Sequence, residues 1–285
     1  MERPEHIPLS FAQRRLWFIN RFDGQSATYN MPISIRLRGP LDQAALADAL
    51  GDLVGRHESL RTVYPERDGV PYQRILPAQE ARPDLTVVEA GPGDVDERLE
   101  AEVRRGIDLT VQVPLRVSLF RLAEEDHVLL FVLHHIAGDG WSMRPLATDL
   151  ATAYAARCDG VAPRWEPLPV QNADYALWQQ QVLGDEDDPD SVFSGQLRYW
   201  QEQLAALPQE LALPVDRPRP AVASHRGMPV YYRLDAELHG KLLALSQETG
   251  ASLYMVLQAG LATKPHPVRS GPRIPVGSRD AHSNV

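Results

Sequence analysis

The chain has 285 residues, 44% of them hydrophobic, enough for one large core or two modest ones. Its 29 Lys and Arg stand against 38 Asp and Glu, and the net charge of −9 argues against nonspecific nucleic-acid binding. A single cysteine, Cys158, excludes an intrachain disulfide and fits a reducing cytoplasm; its place near a helix end is read as structural. No apolar run reaches the roughly 18 residues of a membrane span. The segment from Met1 to His6 lacks a signal-peptide apolar stretch, and no repeat of fixed period is found.

In chain order, Ser10 with Gln13 predicts a capping box opening a helix that carries Phe11, Leu16, Trp17 and Phe18. Met31, Ile33, Ile35 and Leu37 alternate with polar residues, as in a strand with one buried face. Asp42 caps a helix with Ala45, Leu46, Ala49, Leu50, Leu53 and Val54 on one side. Leu60 to Tyr64 reads as a strand, and Asp68-Gly69 as a tight turn into a strand from Tyr72 to Leu76. A short strand over Leu85 to Val88 precedes a charged helix from Asp94 to Arg105 with Val95, Leu99 and Val103 inward. Leu115 to Leu122 and Val128 to Leu133 form a hairpin. After a helix bearing Met143, Leu146, Ala147, Leu150, Ala151 and Tyr154, three prolines (Pro163, Pro167, Pro169) mark a loop. Further helices are expected from about Asn172 to Val182, from Ser191 through Leu207, after Asp235, and after Ser252. Asp185 to Asp190 is read as a solvated acidic loop. The prolines of the segment Leu211 to Pro220 exclude a helix, and Tyr231 to Leu234 reads as a strand. Residues 263–285 carry no apolar period and read as loop or disordered. Trp17, Trp178 and Trp200 are expected in the core. Strands alternating with helices imply an α/β sandwich.

The richest segment is His134-His135-Ile136-Ala137-Gly138-Asp139-Gly140, directly after the apolar run Val128 to Leu133. Such a run is a strand buried on both faces, so adjacent histidines at its end point to opposite sides and only one reaches a given site. Asp139 and the helix opening near Ser142 follow at once. A helix N-terminus and burial both favour a neutral imidazole, which is competent as a general base. Two other readings are a pair of satisfied core histidines and a zinc site; against the latter, the histidines diverge and no further ligand cluster is seen. By the residues alone, Arg56 is a surface arginine at a helix end, favoured there by the dipole.

Four segments in order resemble the motifs of condensation domains of nonribosomal peptide synthetases. They are Leu9 to Phe18, Arg56 to Thr62, His134-His135 through Asp139-Gly140-Trp141-Ser142, and Asn172 to Gln179. The resemblance implies the chloramphenicol-acetyltransferase-like α/β two-layer sandwich. It divides the chain into an N-terminal lobe over 7–170, the start of a C-terminal lobe over 171–262, and the tail over 263–285. The N-terminal lobe is expected to be complete and the C-terminal one partial. Ile274 to Asp280 is similar to a later family segment.

The implied reaction joins an acyl or peptidyl donor and an aminoacyl acceptor, each carried on the phosphopantetheine of a carrier protein. The resemblance makes His135 the catalytic residue, deprotonating the attacking amine or holding it by a hydrogen bond. His134 and Asp139 support it, Asp139 through a salt bridge to Arg56, and Arg61 is linked to activity. Gly140 would leave room for the substrate arm and offer its N–H. No cofactor or metal is expected on the domain itself. Carrier proteins and adjacent synthetase domains are the expected partners, with neither nucleic acid nor membrane. Three alternatives stand beside this reading. One is a noncatalytic remnant that at most binds carrier protein, and on the truncation reading the chain alone does not condense at a normal rate. Another is an epimerization domain, against which Gly140 to Met143 speaks. The third is a stand-alone acyltransferase of the same superfamily, whose usual Asp-Phe-Gly-Trp-Gly-type motif is absent. The stretch Ala27 to Pro32 resembles the subtype that accepts a D-configured donor.

Overall fold

The computed structural model describes residues 2–24, 26–91, 93–207, 215–218, 220–221, 230–231 and 233–263. They fall into two compact units, Met1–Val192 and Phe193–Ser283. The first contains β1 (Ile7–Pro8), α1 (Phe11–Phe22), β2 (Asn30–Arg38), α2 (Gln43–Arg56), a 3₁₀ turn (Glu58–Arg61), β3 (Thr62–Val63), β4 (Glu66–Arg67), β5 (Val70–Ile75), β6 (Thr86–Glu89), α3 (Val95–Arg104), β7 (Leu115–Ala123), β8 (Asp126–His134), α4 (Met143–Cys158) and α5 (Asn172–Leu183). In α6 (Val192–Leu204), the first residue closes this unit and the rest opens the second, which also holds α7 (Ala236–Thr249) and α8 (Leu253–Thr263). Among the described residues, no helix is long and apolar enough to cross a membrane.

The main sheet has the order β2-β8-β7-β6. β8 pairs antiparallel with β2 from Asn30 opposite His134 to Arg38 opposite Asp126, and antiparallel with β7 on its other side. β6 joins the far edge parallel to β7. Alternation along β8 then distributes its side chains. Leu129, Phe131 and Leu133 enter a core with Leu46, Leu50 and Leu53 of α2 and Leu146 and Leu150 of α4. Val128, Leu130 and Val132 enter a second core, against which Val95, Leu99 and Val103 of α3 pack. The small sheet, β1-β5-β3 with β4 also on β5, lies among the elements of the second motif.

Local chemistry explains the helix starts. The Ser10 side chain accepts the Gln13 N–H while the Gln13 side chain accepts the Ser10 N–H, the expected capping box. Asp42 caps α2 through the Ala45 N–H at 2.9 Å, and all six apolar residues expected inward on α2 are buried. Asp235 and Ser252 cap α7 and α8 through Leu238 and Met255. At the β4–β5 turn, Asp68 (φ 52°) and Gly69 (φ 80°) both take left-handed backbone, as a two-residue hairpin turn requires. Around α1, Leu9, Leu16 and Trp17 pack with Tyr64, Ile107, Leu109 and Ile136. The Trp17 indole donates to the Tyr64 carbonyl at 2.9 Å.

Several expectations are corrected. Leu60 to Tyr64 is a strand only at Thr62–Val63, because Glu58–Arg61 winds into a 3₁₀ turn, with the Thr62 hydroxyl donating back to the Glu58 carbonyl at 2.7 Å. Cys158, the last residue of α4, is exposed rather than packed in the core. Of the three tryptophans, Trp17 is buried, but Trp178 is 41% and Trp200 56% exposed. Trp178 stands off the stripe Ala173, Ala176, Gln179 and Leu183 by which α5 is buried, and no residue of α6 is buried. On α4, Ala147 and Ala151 face solvent and Ala153 is the buried alanine. Tyr231, Arg233 and Leu234 are not in a strand. Apart from these corrections, α5 groups by contacts with the first compact unit and is tied to the N-terminal segment by a bidentate Arg3–Asp174 pair. Half of Leu211 to Pro220, and everything after Thr263, including Ile274 to Asp280, lie outside the described residues.

Phe131 is 1% exposed in the centre of β8, so Phe131→Ala is expected to cost about 3–5 kcal/mol. Val87→Ala, at a position 41% exposed on the sheet edge, should cost under about 1 kcal/mol. Urea unfolding of the full chain checks the contrast.

Candidate active site

β8 ends on His134, and the chain keeps strand-like bonding for one residue more. The His134 N–H donates to the Pro114 carbonyl and the His135 N–H to the Tyr29 carbonyl, each at 2.9 Å. His134 is 1% exposed and His135 is half-buried. The His134 Nδ1 accepts the Ile136 N–H at 3.1 Å, which places the proton of the neutral ring on Nε2. Burial first, and the charge of His135 second, push the His134 pKa down to about 4.

The loop after the histidines is held by one carboxylate. Asp139 Oδ1 accepts the Ser142 N–H at 3.0 Å and the Ser142 hydroxyl at 2.9 Å, while Ser142 Oγ accepts the Asp139 N–H at 3.0 Å. This reciprocal arrangement presets the first turn of α4. Gly138 sits tightly inside it: an added Cβ would lie 3.2 Å from Leu133 Cδ2 and from both side-chain atoms of Ser142. Gly140 is exposed, and a Cβ there would meet no protein atom within 4 Å.

The Arg56–Asp139 ion pair that the resemblance implies is not formed. Arg56 Nε instead donates to Asp149 Oδ2 at 2.9 Å, Nη1 donates to the Glu166 carbonyl at 2.8 Å, and the guanidinium stacks 5.0 Å over the Trp165 ring. His57 Nε2 meets the same Asp149 oxygen at 2.8 Å. The reason is satisfaction on both sides. Asp139 Oδ1 is engaged by the Ser142 amide and hydroxyl, whereas Asp149 lies one turn after Leu146 on the inward stripe of α4, 15% exposed, and needs cationic or N–H partners. Arg61 reaches the Leu76 carbonyl at 2.5 Å and lies 3.7 Å from Glu58, which itself takes Arg3 at 2.8 Å. His134, His135, Asp139 and Gly140 thus share one loop, while Arg56 and Arg61 brace the chain after α2. Asp149, His57 and Ser142 were not singled out from the sequence. A carboxylate at an inward helical position was the available signal for Asp149. No group of three or more potential metal ligands exists among the described residues.

A half-buried imidazole on a fixed loop, beside a buried neutral one, is chemically able to hold or move a proton. A family model, the Condensation domain, matches residues 3–278, and the chain belongs to that family. The chain is 52% identical over 283 residues to the dimodular nonribosomal peptide synthase of Bacillus subtilis (strain 168), covering 99% of this chain and 12% of that protein. It is 47% identical over 279 residues to the isonitrile lipopeptide synthase of Mycobacterium tuberculosis (strain ATCC 25618 / H37Rv), covering 97% of this chain and 11% of that one. The X-domain from teicoplanin biosynthesis superposes with a TM-score of 0.86 at 40% identity, over 95% of this chain and 59% of that chain. The first condensation domain of the calcium-dependent antibiotic synthetase, at 22% identity and a TM-score of 0.72, shares the fold. The mixed α/β architecture is the chloramphenicol-acetyltransferase-like one expected.

Removing Asp149 strands Arg56 and His57 together, so Asp149→Ala should cost about 3 kcal/mol. Asp139→Ala removes a local cap and should cost about 1 kcal/mol. Urea midpoints of the two variants rank them. A second test uses pH. Folded His134 stays neutral down to about pH 4, while an ordinary histidine protonates near 6.5, so between these values the unfolded chain binds more protons. Stability should therefore fall as pH drops through that window, with a His134 contribution of up to ~1.4 kcal/mol per pH unit. His134→Asn, which keeps an acceptor for the Ile136 N–H, should remove that contribution from the slope.

Proposed function

We propose that this chain carries the catalytic histidine of a condensation domain, which forms an amide bond between a carrier-bound acyl or peptidyl donor and a carrier-bound aminoacyl acceptor. The observation that carries the reading is the division between the two histidines. His134 is buried at 1% exposure, and His135 is half-buried, the more accessible imidazole of the two. His135 takes the proton of the attacking amine or orients it by a hydrogen bond, and the amine nitrogen then displaces the carrier thiol from the thioester carbon. Asp139 acts by presetting the loop, Gly140 by leaving its solvent side open to the substrate arm and offering its N–H, and Arg56 and Arg61 by bracing the chain after α2. In this reading residues 7–170 belong to the first lobe and residues 171–262 begin the second. The substrates arrive on phosphopantetheine, the domain itself holds no cofactor, and the reaction is cytoplasmic. On α1, Phe18 and Phe22 stack at 6.1 Å, 63% and 80% exposed, beside exposed Arg15 and Arg21, a surface suited to a docking carrier protein.

A second reading is favoured by one comparison. The X-domain from teicoplanin biosynthesis, solved in complex with OxyB, superposes with a TM-score of 0.85 at 39% identity. The corresponding role here is docking of a partner protein without condensation.

One assay decides. The chain is mixed with loaded donor and acceptor carrier proteins, and amide product is followed by mass spectrometry. Product is expected, with turnover lowered about 10²-fold or more by His135→Ala. In the same assay Phe22→Glu should raise the half-saturating carrier concentration and leave maximal turnover intact. Equal turnover by His135→Ala overturns the site assignment, and absence of product from the unaltered chain favours the docking role.

A further inference from the structure

Between the 3₁₀ turn after α2 and the first turn of α4 lies a cavity of about 190 Å³. Leu60, Leu133, Ala137, Met143 and Leu146 supply apolar wall, and His57, Ser59 and Ser142 contribute the polar edge. Of the two carboxylates nearby, one is paired with a cation and the other is only hydrogen-bonded. Asp149 is shared by Arg56 and His57, and Asp139 is taken up by the amide and hydroxyl of Ser142. Leu133 is two residues before His135, and strand bonding continues through the His135 N–H, so both side chains leave the same face. By alternation, the imidazole that the condensation reading assigns to the substrate is on the cavity's side of the strand. Gly138 keeps the cavity open on the loop side, where a Cβ would press on Leu133 and Ser142 at 3.2 Å.

We propose that this cavity is a specificity pocket for the uncharged side chain of the aminoacyl substrate, of branched-aliphatic to benzyl size. The assignment rests on the condensation reading for the identity of the ligand, and on the cavity for its selectivity. An apolar cavity of about 150 Å³ is enough to take up benzene, so a leucine or phenylalanine side chain matches the volume. A charged side chain would lose its hydration against walls that are mostly apolar. Each methylene that the walls contact is worth roughly 10-fold or more in discrimination.

The test is calorimetric titration of the full chain with stable aminoacyl-pantetheine amides bearing leucine, phenylalanine, glycine or glutamate side chains. Leucine and phenylalanine probes should bind at least about tenfold more tightly than glycine and glutamate probes. Ala137→Leu, and independently Met143→Trp, fill the cavity and should abolish that preference, with folding checked by circular dichroism. Equal affinity for all four probes overturns the pocket, as does an unchanged preference in both folded variants. The preference surviving in His135→Ala supports it. If the preference is present but no amide forms with loaded carriers, the pocket stands and the condensation reading fails.

Discussion

The rest of the molecule depends on β8 having no free side. Its backbone is paired with β2 on one edge and β7 on the other, and its side chains are packed by α2 and α4 on one face and opposite α3 on the other. A strand so enclosed cannot slip by one residue without exchanging two cores, since each side chain would move to the opposite face. The histidine pair therefore inherits its orientation from the whole sheet. The penalty for charging a buried imidazole is carried by His134, and that burial makes the pair asymmetric. Two chemically identical residues acquire different surroundings from a single step of strand alternation.

In the condensation reading the loop beyond β8 has to be as fixed as the strand, because a proton acceptor works only at hydrogen-bond reach. Two carboxylates share that task at different ranges. Asp139 acts within four residues, bonding the Ser142 amide and hydroxyl and so setting where α4 begins. Asp149 acts across the fold, holding the α4 helix to Arg56 and His57 at the end of α2. The local bonds fix the shape of the loop, and the long-range pair fixes where that shape sits over the sheet. A carboxylate between two N–H-bearing groups at 15% exposure is retained only if both stay in place, which is why this cluster couples α2 to the motif loop.

What was legible in the sequence follows the range of the interaction. The Ser10–Gln13 box, the Asp42 cap, the Asp68-Gly69 turn and the inward face of α2 are decided within a few residues, and each is present as read. The continuous apolar run of β8 also announces burial on both faces. The motif order identifies the family because four short segments coincide, which no single propensity could do. What was not legible is the choice of partner across long separations. Arg56 is 93 residues from Asp149, and nothing local distinguishes Asp149 from Asp139 as its acceptor. The difference is that Ser142 satisfies one carboxylate first. Trp178 and Trp200 mislead for a related reason: size predicts burial on average, but the stripe that a helix buries depends on what lies opposite it.

The two glycines flanking Asp139 show how the same residue type serves opposite ends. Neither has a positive φ, so backbone conformation does not demand glycine at either position. At Gly138 the demand is internal, since Leu133 and Ser142 leave 3.2 Å where a Cβ would stand. At Gly140 the protein makes no steric demand, because nothing lies within 4 Å of that position. Gly195, Gly240 and Gly260 share this open setting, so the space alone assigns no ligand. In the condensation reading the substrate arm passes over the open side of the loop while Gly138 holds the closed side against the sheet. The loop then has a packed face and a working face separated by a single carboxylate, and Asp139 is spent on keeping the two apart.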